Sequence, residues 1–172
     1  MKLSQKHIQE QIQGIFDSIH QKKSIKEQII KLSDIGKLYG FGDDNNIRLK
    51  AYQILLGISD EEINQTFTYT KNDNFEDGDC YKQILRDCNG SFKLLDVCLD
   101  KDEQQIQNLR NQLILMVSKL FKENTSYSYY RGYENFCSIF LWNFGIDKGY
   151  KLIERLSASL LRQIFYFSKK FI

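Results

Sequence analysis

Apolar residues recur at helical spacing from the start of the chain. Ile8, Ile12, Ile15, Phe16 and Ile19 follow i, i+4, i+7, i+8, i+11, which gathers them on one helix face, with Ser4 placed to cap it. Ser24 precedes a second run, Ile25, Ile29, Leu32, Ile35 and Leu38, which stops at the glycine- and asparagine-rich "YGFGDDNN" (39–46). A third helix fits "IRLKAYQILLGI" (47–58), and a short one from about Tyr81 should end at "CNG", since Asn89-Gly90 is a turn and C-cap dipeptide. Ile106, Leu109, Leu113, Met116, Val117 and Leu120 mark the most regular amphipathic helix, begun near Asp100 or Asp102, whose carboxylates suit a helix N-terminus. "GYENFCSIFLWNFG" (132–145) is apolar on nearly all sides, as a central helix would be. After Gly145, Leu152, Ile153, Leu156, Leu160, Leu161, Ile164 and Phe165 form a last amphipathic segment. No strand-like alternation of useful length and no fixed repeat occurs, so the pattern predicts an all-α fold of seven helices without a β-sheet.

Composition sharpens this picture. The chain contains no proline, so no helix is interrupted by a missing N–H donor. Its 172 residues suit one domain that buries roughly two-thirds of the unfolded surface. No apolar run approaches the ~18 to 20 residues that span a bilayer, and no apolar segment follows Met1 as a secretory signal would. A soluble, cytoplasmic protein without a transmembrane segment is the expectation. The net charge of +2 comes from 24 basic and 22 acidic residues spread along the chain, with no block to hold a phosphate backbone, so nucleic acid is not an expected partner.

Candidate chemistry is sparse. Cys80, Cys88, Cys98 and Cys137 form no C-x-x-C pair and lie far in sequence from His7 and His20, so packing thiols are expected rather than zinc ligands. The acidic stretch 59–79 resembles a calcium loop only superficially. An EF-hand begun at Asp73 would put Phe75 third and Ile84 twelfth, where oxygen ligands belong, so a solvated, mobile loop is the reading. "YGFGDD" has a G-x-G but neither a third glycine nor a preceding strand, and both histidines share the first helix, away from any nucleophile. No metal or cofactor is expected, and no self-contained catalytic set is visible.

At three places the chain resembles the TBC domain, the helical module that activates Rab-family GTPases. "YGFGDDNNIRLKAYQILLGI" resembles the family's opening pattern, with Arg48 keeping its arginine, Leu55-Leu56 its leucine pair, and Tyr52 replacing its tryptophan. "ILRDCNG" (84–90) resembles I-x-x-D-x-x-R, with Ile84 and Asp87 in place and Gly90 where the arginine belongs. "YYRG" (129–132) resembles Y-x-Q-G, with Tyr129 and Gly132 in place and Arg131 where the glutamine belongs. The stretch from "YYRGY" onward is similar to the branch acting on early-secretory Rab GTPases at the endoplasmic reticulum and Golgi. The match covers about residues 25–165, which divides the chain into an N-terminal amphipathic helix (1–23) and a partial TBC domain (24–172).

The resemblance implies a regulator acting in trans on a Rab GTPase in vesicle trafficking. In the family the arginine neutralises charge on the transferred phosphoryl group and the glutamine positions water, and a finger supplied in trans contributes ~10³ to 10⁵ in rate. With both positions substituted, little activation is expected. Arg86, one turn before Gly90, is a candidate substitute, the alternative being a solvated surface charge. Asp87 reads as structural, holding the motif loop or pairing with a cation. Arg131 admits three readings: a compensating finger, a clamp that binds a GTPase without speeding hydrolysis, or an exposed side chain at a helix start. Tyr127, Tyr129 and Tyr130 are expected to pack, with hydroxyls toward a GTPase-facing groove. The resemblance further implies a truncated domain, since "FYFSKKFI" (165–172) is too short for the relatives' membrane anchor, with exposed apolar C-terminal surface favouring self-association. The alternative is a non-catalytic helical interaction or structural protein with no GTPase partner.

Overall fold

The structure is a computed structural model that describes residues 4–71, 73–92 and 102–159. Cys98, Asp100, Leu160, Leu161, Ile164, Phe165 and "FYFSKKFI" therefore lie outside the described residues. Every regular element within them is helical. The chain divides into two compact units, Met1–Asp60 and Glu61–Ile172.

The first unit holds α1 (Gln5–His20), α2 (Ile25–Tyr39) and α3 (Asn45–Leu56). The Ser4 hydroxyl caps α1 by accepting the His7 N–H at 3.3 Å, and the Asp44 carboxylate caps α3 by accepting from Asn46 and Ile47. Ile8, Ile12 and Ile15 of α1 share one core with Leu32, Phe41 and Ala51, so the N-terminal helix packs together with α2 and α3. Gly36 is what lets Phe41 close on α2: a Cβ there would fall 2.4 Å from the phenylalanine ring. Arg48 holds the turn before α3, its Nε donating to the Gly42 carbonyl at 2.6 Å and its two terminal nitrogens to Asn45 and Asp43. The Tyr52 ring meets Phe41 edge-on at 5.5 Å. Both motif residues of this region thus have structural work within it.

The second unit contains α5 (Asp73–Glu76), α6 (Asp79–Gly90), α7 (Glu103–Glu123) and α8 (Tyr133–Ser159), and α4 (Asp60–Ile63) lies at the division between units. Asp102 and Gln105 form a reciprocal capping box on α7. The helices expected on either side of Gly145 run together as α8, broken there by a left-handed φ of 71°. Close packing of its two halves depends on Gly149, where a Cβ would lie 2.9 Å from the Phe140 carbonyl oxygen. Ile84, Cys88, Leu113, Met116, Val117, Leu120, Tyr133, Cys137, Leu141, Leu152 and Ile153 are all buried.

With the two around Gly145 run together, the seven expected helices form six elements, and among the described residues two helices of four residues each, too short to leave a period in the sequence, bring the total to eight. The solvated loop expected over 59–79 is exposed over most of 64–71, but two short helices flank that segment and specific contacts hold it. Phe67 donates its N–H to Asp147 at 2.7 Å and meets Tyr150 edge-on at 5.1 Å. Lys122 donates to the Thr70 carbonyl and lies 4.5 Å from the centre of the Tyr69 ring. Two aromatic residues give this polar segment apolar surface to bury. No described helix is long and apolar enough to cross a membrane.

Candidate functional site

Spacing of four places Ile84 and Cys88 on the buried face of α6, which leaves Gln83 and Asp87 together on a neighbouring face. Gly90 is the last residue of α6, so the helix ends where Asn89-Gly90 led the sequence reading to end it. Ser91 is extended and Phe92 takes the positive φ, at 64°. Arg110 of α7 fixes this end, its Nε donating to the Ser91 carbonyl at 3.2 Å and its Nη1 to Glu103 at 3.3 Å. Its guanidinium is buried in the apolar stripe between Ile106 and Leu113.

On the other side, Phe121 organises the approach to α8. The rings of Tyr127, Tyr129 and Tyr133 stand edge-on around it, with centroids 6.5, 5.3 and 5.4 Å away. This sets the Tyr129 hydroxyl 3.0 Å from Asp87 Oδ2 and 2.8 Å from Glu134 Oε2. Gln83 donates to both Asp87 oxygens at 2.9 Å. Glu134 also accepts the Gly132 N–H at 2.8 Å and the Asn135 side-chain amide at 3.0 Å. A phenol carries one proton, so two buried carboxylates share it. Burial, followed by the Glu134 hydrogen bond and charge, pushes the Tyr129 phenol far up, and the hydroxyl remains protonated. Burial likewise pushes the Cys88 thiol up, with Glu134 and Asp87 adding to it.

Between the end of α6 and the start of α8 lies a cleft of 330 Å³, lined by Arg86, Asp87, Gly90 and Ser91 on one side and Arg131, Gly132, Glu134 and Asn135 on the other. Five residues singled out from the sequence therefore meet here: Arg86, Asp87, Gly90, Arg131 and Gly132. Tyr129 stands behind the cleft with its hydroxyl turned inward onto the carboxylates, and the Tyr130 ring meets Tyr133 edge-on at 5.7 Å. Arg48 and Tyr52 belong to the first unit.

The cations sit at the rim. Arg131 is 87% exposed, and its Nε lies 3.9 Å from Asp87 Oδ1, whose side chain is 8% exposed. Arg86 lies along α6 and donates to Gln83 at 2.7 Å. Gly90 offers no functional group, and a Cβ added to it meets nothing within 4 Å. The start of α8, whose N–H groups would attract an anion, already faces the carboxylate of Glu134. The cleft floor is thus acidic, and the exposed charges at its rim are Arg86 and Arg131, of which Arg131 is 87% exposed.

Glu134, Gln83 and Arg110 are the residues that sequence reasoning missed. An acid two positions after Gly132 is a helix-start signal, and Arg110 falls four residues after Ile106 and three before Leu113, inside the apolar stripe. Among the described residues, no group of histidine, cysteine, aspartate or glutamate is arranged to hold a metal ion. Comparison with known proteins finds no family model and no curated protein that matches the chain.

Proposed function

We propose that the chain is a diverged TBC-type regulator that binds a GTP-loaded Rab GTPase without appreciably accelerating hydrolysis. It would act in trans in vesicle trafficking, in keeping with the resemblance to the branch that serves the endoplasmic reticulum and Golgi. The observation that supports this most is the convergence of Gly90 and Arg131, distant in sequence, on one open cleft. The two fingers of an activator must converge on one phosphoryl group, and these are the two positions the resemblance assigns to them.

The side chains present argue for binding over catalysis. Nothing on Gly90 can carry charge to a phosphate, and loss of a finger forfeits most of the ~10³ to 10⁵ in rate it supplies. Arg131, exposed and held only by a long contact to Asp87, can reach an acidic or phosphate group of the partner as a clamp. The acidic floor formed by Asp87 and Glu134 opposes entry of the phosphate itself.

The test is retention of Rab proteins, loaded with GTP or GDP, by the immobilised chain, together with single-turnover hydrolysis. GTP-dependent retention of at least one Rab, hydrolysis near the intrinsic rate, and weaker retention by Arg131→Ala are expected. Failure to retain any Rab in either nucleotide state would overturn the proposal. A second reading, an interaction protein with no GTPase partner, draws on the exposed apolar side chains of α2, where Ile30 is 60% and Leu38 is 70% exposed.

A further inference from the structure

The first unit leaves one helix largely uncovered. α2 carries Ile25, Ile29, Ile30, Leu32, Ile35, Leu38 and Tyr39, yet only Leu32 is buried. An amphipathic helix gains most of its stability from the apolar face it buries, and this one has buried little. Alongside it runs a cleft of 550 Å³, walled by Gly14, Ile15 and Ser18 of α1 and by Lys31, Asp34 and Leu38 of α2. The α1 wall is low, since a Cβ on Gly14 would meet nothing within 4 Å. It is also satisfied, since the Ser18 hydroxyl donates to the Gly14 carbonyl at 2.9 Å and brings no unpaired polar group into a dry contact.

We propose that this cleft is the interface of a two-fold homodimer, in which α2 of each copy lies antiparallel against the α1–α2 cleft of the other. The charges favour a second copy over another occupant. Lys31 and Asp34 lie one turn apart on the same wall, so a two-fold axis between them sets each lysine against the other copy's aspartate. A uniformly basic or acidic helix would be repelled by one of the two. Their present pairs, Lys31 with Glu27 at 2.7 Å and Asp34 with Lys37 at 3.4 Å, are exposed contacts within α2 that contribute little and exchange readily.

Sedimentation equilibrium of the full chain over a wide concentration range tests this independently of any GTPase, because Arg131 and its cleft are untouched. A monomer–dimer equilibrium is expected. Leu38→Glu, Lys31→Glu and Asp34→Lys should each raise the dimer dissociation constant by about tenfold or more, and the charge-swapped double variant Lys31→Glu/Asp34→Lys should recover most of the loss. Far-UV circular dichroism establishes that each variant is folded, with Leu38→Ser as a milder substitute for the glutamate. A wild-type chain that is monomeric throughout overturns the proposal, whatever else binds the cleft. So does a dimer that none of the single variants weakens, or one that the double swap fails to restore.

Discussion

Tyr129 donates a single proton toward two buried carboxylates, and much of the candidate site depends on that sharing. Tyr129→Phe should cost about 1 kcal/mol, because it removes the donor that Asp87 and Glu134 share while Gln83 and the Gly132 N–H continue to serve them. Adding Glu134→Gln should cost less than the sum of the single changes, since the second substitution removes a charge that the first left undersatisfied. Urea unfolding of the four variants in the cycle measures this, and additive losses would mean that the hydroxyl serves the carboxylates only weakly. Tyr129 and Asp87 were legible in the sequence as parts of two short motifs. Their meeting through one hydroxyl was not, because no periodicity relates the end of α6 to the approach to α8. Glu134 went unread for a different reason: an acid in the first turn of a helix is ordinary, and only the fold makes it a buried acceptor.

Among the elements, the long amphipathic helices were legible because a 3.6-residue period accumulates over several turns. The four-residue helices α4 and α5 allow no period, and the contacts that hold the loop over 64–71 were not legible because they rest on Phe67 and Tyr69, two aromatics in a polar stretch. Glycines shape the ends and joints of the elements, and three of them should respond differently to alanine. Gly90 is helical with open space at its Cβ, so Gly90→Ala should stabilise by up to about 1 kcal/mol. Gly132 holds a φ of +101° just before α8, so Gly132→Ala should cost about 1–3 kcal/mol in backbone strain. Gly149→Ala should cost a similar amount by a different route, forcing the two halves of α8 apart at the Phe140 carbonyl. Thermal unfolding of the three variants gives the order, and a destabilised Gly90→Ala would show that the end of α6 does not have the helical backbone described.

At the scale of the molecule, the proposed role of the second unit's cleft toward a Rab GTPase can be tested by supplying the two side chains that the resemblance assigns to it. An arginine at position 90 meets no steric bar, because the backbone there is helical and nothing lies within 4 Å of the added Cβ. Glutamine at 131 removes the exposed guanidinium while Gln83 and Tyr129 continue to serve Asp87. If the proposed Rab-binding surface persists and only the chemistry was lost, Gly90→Arg with Arg131→Gln should supply both charge neutralisation and water positioning, and each change alone should recover much less. A guanidinium projected from the end of α6 also offsets the acidic floor of Asp87 and Glu134, which otherwise opposes a phosphate in the cleft. Single-turnover GTP hydrolysis across a Rab panel should then rise for at least one member with the double variant, by a substantial part of the ~10³ to 10⁵ that a finger contributes. No acceleration by a double variant with an unchanged helical spectrum would move the balance to the interaction-protein reading, and acceleration by Gly90→Arg alone to the level of the pair would assign Arg131 no part in the loss.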